Sequence, residues 1–225
     1  MKSGSKLFLW IALALILTGT SSCFQFIEEI TLLNNGSGSM KLTLNMSQSK
    51  SKLASILLMD SINGHKVPNR KDIDQYMQET VTYLQKSPGI STVSKSVDLK
   101  NFILSVSFNF KNLSHLNAVI QKLSAEQKNK IPTYTYSFHA GKKSFSRTYN
   151  PGKNLKNEFG KLKSKDKEIF KTATHTSIFR FQQPIATSAN KATKISASGK
   201  AAMQTSNAMQ IINGTTNLSQ TIQLK

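Results

Sequence analysis

Cysteine, histidine, acidic and hydroxyl side chains can ligate metals or form covalent intermediates, and their spacing in this chain limits both. The histidines His65, His115, His139 and His175 are spread over separate stretches, with no HxxxH or HExxH pairing and no cysteine beside them. Neither a metal site nor a cofactor is expected. Serine is abundant, yet there is no G-x-S-x-G elbow and no S-x-x-K with its partner motifs, and Ser49-Lys50-Ser51-Lys52 reads as the solvated start of a helix. Close acid pairs include Glu28-Glu29 and Asp72/Asp74. Neighbours on a strand point to opposite faces, so Glu28 and Glu29 cannot share a substrate, and whichever faces inward needs a lysine partner. Asp72, Asp74 and Glu79 lie early in a helical stretch, where acids complement the helix dipole. The reactive side chain that remains is Cys23, the single cysteine among 225 residues.

Cys23 ends a stretch with the layout of a secretory leader. Lys2 and Lys6 supply the positive start, Leu7 to Leu17 is apolar without interruption, and Gly19-Thr20-Ser21-Ser22 is a patch of small side chains. Eleven apolar residues are too few to span a bilayer, which takes roughly 20. The patch resembles a lipobox, with Thr20 where the familiar form has Leu. In a bacterial lipoprotein the Cys23 thiol carries a diacylglyceryl group, cleavage falls between Ser22 and Cys23, and the new amine can be acylated. Residues 1–22 are therefore expected to be removed. A lone thiol fits this, because an exported chain with one cysteine builds no disulfide framework.

The charge points the same way. The chain carries a net +19 from 30 Lys and Arg against 11 Asp and Glu; removing Lys2 and Lys6 leaves +17, with only Arg70, Arg147 and Arg180 as arginines. Such an excess favours anionic partners: phospholipid, lipopolysaccharide or acidic glycan for an exported protein. The basic groups concentrate between Lys142 and Lys171. Lys142, Lys143, Arg147, Lys153, Lys156, Lys161 and Lys163 are the candidates for contact with an anionic surface, each worth about 1 kcal/mol beside such a leaflet. The alternative is a solvated face. The aromatic stripe Tyr134, Tyr136, Phe138, Phe145 and Tyr149 has the spacing of a buried strand face, and no nucleic-acid partner is expected.

Alternating strands must position these groups. Phe24 to Leu33 and Met40 to Met46 form a predicted hairpin around Asn34-Asn35-Gly36. A short helix is predicted within Ser47–Met59. A longer one starts at an Asn69/Asp72 capping box, with Ile73, Met77, Thr80 and Leu84 as its apolar stripe. Ile90–Leu99 and Asn101–Lys111 form a second hairpin, Ser114 can cap a helix through Leu123, and Thr133–His139 with Ser144–Tyr149 form a third hairpin. Residues 150–172 read as a lysine-rich helix broken near Gly160 or as a linker, and 173–225 as a β-rich portion that extends the sheet or forms a second layer. The expected fold class is α+β: a mainly antiparallel sheet with two or three helices on one face. Residues 23–149 and 173–225 are expected to belong to one domain.

The start of the mature chain, with a cysteine, FQFIEEITL and an NNGSGS turn, resembles uncharacterised lipoproteins of Bacteroidota, as do the FRFQQPI strand and KISASGK turn near the end. Their architecture is similar to the LppM-like α+β domain. The resemblance implies a lipid-handling role and carries over no catalytic residue. It also implies O-glycosylation at Ser61, within Asp60-Ser61-Ile62. The expected function is a non-enzymatic binding module for a lipid, glycan or protein partner, held on the envelope by its acyl anchor. Phe24 stands where Asp would signal inner-membrane retention in enteric bacteria, so the outer membrane is the expected site. A periplasmic hydrolase assembled only in three dimensions, or a structural lipoprotein, is the alternative.

Overall fold

The computed structural model describes residues 24–62, 64–126, 132–151 and 155–225. Cys23, the leader and Lys153 lie outside them. In chain order the elements are β1 (Gln25–Leu32), β2 (Gly38–Asn45), α1 (Lys50–Ile56), β3 (Ser61–Ile62), β4 (His65–Lys66), α2 (Arg70–Gln85), β5 (Ile90–Asp98), β6 (Ile103–Phe110) and α3 (Leu113–Glu126). They continue as β7 (Thr133–His139), β8 (Ser144–Asn150), α4 (Leu155–Gly160), α5 (Ser164–Lys171), β9 (Thr174–Phe181), β10 (Ile185–Ser188), β11 (Lys194–Ile195), β12 (Ala201–Asn207), α6 (Ala208–Ile212) and β13 (Gln220–Leu224). The fold is α+β, as the alternation of strand and helix patterns predicted.

A seven-stranded sheet in the order β11-β12-β9-β1-β2-β6-β5 faces a four-stranded sheet in the order β10-β13-β8-β7. The C-terminal portion does both things its sequence allowed: β9, β11 and β12 widen the first sheet, while β10 and β13 complete the second. β1 pairs antiparallel with β2 and parallel with β9. Strand alternation sets one covered face and one wet face on the large sheet. Ile30, Met40, Val106, Phe108 and Phe110 point to the covered side, where α2 and α3 pack over β5, β6 and β7. The second sheet covers the β1, β9 and β12 part, with Phe145 at 5.0 Å from the Phe179 ring and 5.4 Å from Phe181. Hydroxyl pairs such as Thr176/Thr205 occupy the other side.

Local chemistry fixes the helices. Asn69 accepts from the Lys71 and Asp72 amides while Asp72 accepts from the Asn69 amide, so the capping box is formed. The inward stripe of α2 differs from the expected one: Thr80 is exposed and Val81 is buried in its place. α3 is capped by Asn112, whose Oδ1 accepts from the Ser114 and His115 amides, rather than by Ser114. Asn117 on α3 then bonds both backbone groups of Tyr136, covering the free edge of β7 with a side-chain amide. The lysine-rich stretch forms two helices, α4 and α5, with Lys161 to Lys163 between them. Ser61 is exposed on β3.

Candidate functional site

The inward positions of the strands change character along their length. Register places Glu28 beside Ser177, Ile30 beside Phe179 and Leu32 beside Phe181. It likewise places Gln204 beside Ser177 and Ala202 beside Phe179, and across the second sheet Gln220 beside Arg147 and Ile222 beside Phe145. The space between the sheets is thus apolar toward the β1–β2 turn and polar toward the start of β1. Glu28, Arg147, Ser177, Gln204 and Gln220 make up a buried polar layer.

Arg147 organises that layer. Its Nη1 donates to Glu28 Oε2 at 3.2 Å and to the Ser177 hydroxyl, and its Nε donates to the Leu218 carbonyl at 2.9 Å. The guanidinium lies 5.1 Å from the Tyr134 ring centre and 4.9 Å from that of Phe179. Glu28 also accepts from the Tyr136 hydroxyl, and His175 Nε2 stands 3.6 Å from its Oε2. Burial works to raise the Glu28 pKa, but the His175 contact, the Arg147 charge and the Tyr136 bond outweigh it and hold the carboxyl below its ordinary range. Burial and the Glu28 charge push the Tyr134 and Tyr136 phenols far up, so both stay protonated. The expected partner of an inward acid was a lysine. An arginine takes that place because its planar fork can satisfy carboxylate, hydroxyl and carbonyl acceptors together.

Next to this layer, at the start of β1 and β9, a cavity of about 420 Å³ opens between the large sheet and α4, α5 and α6. Its walls are almost wholly apolar: Phe24, Phe26, Phe159, Leu162, Phe170 and Ile211 contribute, among others. Phe170 packs edge-on against Phe24 at 5.7 Å and Phe159 at 5.5 Å. His175 is the shared wall between cavity and polar layer; its ring is stacked between Phe26 and Tyr134. Asn207 caps α6 and donates to the Lys171 carbonyl at the end of α5, which holds the helices beside each other. A space of this volume with an apolar lining lies within the size range of small-molecule pockets.

The structure divides the predicted basic cluster among three places. Lys142 and Lys143 are exposed in the turn between β7 and β8. That turn lies at the far end of the sheets, where Lys143 accepts from the Leu224 amide. Lys156, Lys161 and Lys163 are exposed on or between α4 and α5, whose other side lines the cavity. Arg147 is buried at 1% exposure and touches no surface, which corrects its assignment as a membrane contact: alternation turns it inward two residues after Phe145. Spacing did not reveal the cavity, because its walls come from five separate stretches. Among the described residues no cluster of three or more His, Cys, Asp or Glu could hold a metal, and no helix is long and apolar enough to cross a membrane.

No protein-family model matches the chain, and no curated protein does. Among solved structures it is similar to the folded domain of LppM from Mycobacterium tuberculosis, determined by NMR, with a TM-score of 0.44 and 9% identity over 90% of this chain and 89% of that one. A likeness at that level leaves the site to be read from this chain's own residues.

Proposed function

We propose that this chain is a lipid-anchored protein of the bacterial cell envelope, expected at the outer membrane, that acts as a non-enzymatic binding module and holds the acyl part of a membrane lipid. The observation that carries the reading is the position of the cavity. Its wall includes Phe24, the residue bonded to Cys23 in the chain, so an anchor on Cys23 would bring the cavity to the bilayer surface. Leu162 and Ile169 are both 37% exposed, on or between the same helices as exposed Lys156, Lys163 and Lys161, the last with its ammonium 2.7 Å from Glu158. Apolar and lysine side chains mixed in this way suit a membrane interface, where lysine stems lie along apolar surface and their ammonium groups reach lipid phosphates. An anionic phospholipid or lipopolysaccharide is the favoured source of the acyl chain.

The hydrolase alternative draws on His175 and Glu28 beside a cavity. The hydroxyl facing the imidazole, at 3.4 Å, is that of Tyr134, a phenol that burial and Glu28 keep protonated and therefore a poor nucleophile. The test is lipid extraction from a purified chain that begins at residue 23 with Cys23→Ser. Stoichiometric acyl lipid, lost when Ile211→Trp fills the cavity, supports binding. A chain free of lipid that also fails to take up lipid from anionic vesicles would refute it.

A further inference from the structure

We infer that the cavity is the docking site of an acyl chain carried by Cys23 itself, so that the anchor competes with free lipid for the same space. This rests on the anchor and binding reading above and adds the regulation of that site. The cavity is apolar, ends at His175 on its inner side, and has Phe24 in its wall. The Phe24 backbone is fixed there: its carbonyl accepts from the Thr174 amide at 3.0 Å, and its ring packs edge-on against Phe170. Cys23 is the next residue in the chain, so an acyl chain bonded to it is tethered one residue from a wall of the cavity. A covalently linked chain meets the site at an effective concentration on the order of millimolar. Each methylene buried gains about the same whether it enters the cavity or the bilayer, so tethering and fit decide the balance. The chains of a triacylated cysteine that stay in the bilayer keep the protein anchored while one is withdrawn. A membrane lipid enters the cavity by displacing it.

The inference is tested on the mature protein in its own membrane. Cells are fed a fatty acid bearing a photoactivatable diazirine, irradiated, and the purified protein is digested and analysed by mass spectrometry. The expected result is an acylated Cys23 peptide cross-linked within the same chain to peptides containing Phe159, Phe170 or Ile211. Ile211→Trp should abolish those cross-links while leaving acylation and the melting curve in place. In nanodiscs, the acylated protein should bind a fluorescent fatty acid at least tenfold more weakly than the Cys23→Ser chain. Acylated Cys23 cross-linked to lipid alone, with equal probe affinity for both chains, overturns the inference and leaves the anchor standing. An unacylated N-terminal peptide overturns both.

Discussion

Arg147 and Glu28, 119 residues apart, meet at 3.2 Å between two sheets, with side-chain exposures of 0% and 1%. The pair joins the first strand of the chain to the third hairpin and sits directly behind the histidine that walls the cavity. Its surroundings satisfy most of the remaining polar atoms, through Ser177, Leu218 and Tyr136. A buried pair of this kind is costly to break and cheap to replace as a unit.

Removing one partner should therefore cost more than its share of removing both. Arg147→Met leaves an uncompensated carboxylate and is expected to lower the unfolding free energy by about 3–5 kcal/mol. Glu28→Gln with Arg147→Met should cost less than the sum of the single changes. Urea denaturation of the three variants, read as a double-mutant cycle, checks this. Additive losses would mean that the two side chains do not depend on each other.

Acid should find the same pair. The Glu28 carboxyl is held below its ordinary value of 4.5 in the fold. As pH falls through that value the unfolded chain takes up a proton that the folded chain refuses, so stability present above pH 4.5 is lost below it. Glu28→Gln should flatten the stability curve below pH 4.5 relative to wild type. Chemical denaturation between pH 6 and pH 3 measures the difference.

Alkali acts through the phenols. Tyr134 and Tyr136 are raised well above 10.0. Above pH 10 the unfolded chain releases protons that the folded chain keeps, so stability present below pH 10 declines as pH rises. Of the five tyrosines, at least these two should ionise only on unfolding. Absorbance of tyrosinate followed against circular dichroism should show a second step coincident with loss of structure.

Gly89, between α2 and β5, has φ +71, and a Cβ there would stand 2.1 Å from the His115 ring on α3. Gly89→Ala is expected to cost at least about 1–2 kcal/mol from the backbone alone, with more from the displaced helix. A thermal melt in which the variant matches wild type would contradict this placement.

The fold was legible wherever alternation was clean, as in FILSVSFNF, where Val106, Phe108 and Phe110 are buried as their spacing required. The layers between the sheets were half legible. Glu28 shares a face with Ile30 and Leu32 by period alone, but its partner could not be read, since the parallel pairing of β1 with β9 and the β8–β13 ladder bring together residues far apart in the chain, such as Glu28 with Ser177 and Arg147 with Gln220. Arg147 misled because it stands within a lysine run; two-residue alternation from Phe145 was the signal that placed it inside. At Thr80 and Val81 a one-residue choice along a 3.6-residue period was beyond what the pattern could decide. The cavity needed three short helices from separate stretches, and no local pattern encodes how such helices meet.

An acyl chain held beneath α4, α5 and α6 can be located by NMR of the Cys23→Ser chain with a spin-labelled fatty acid. Paramagnetic broadening should concentrate at Phe24, Phe159, Phe170, His175 and Ile211, with Lys142, Lys143 and the Asn34–Gly36 turn at the far end of the sheets unaffected. Broadening centred elsewhere, or spread evenly over the surface, would contradict it.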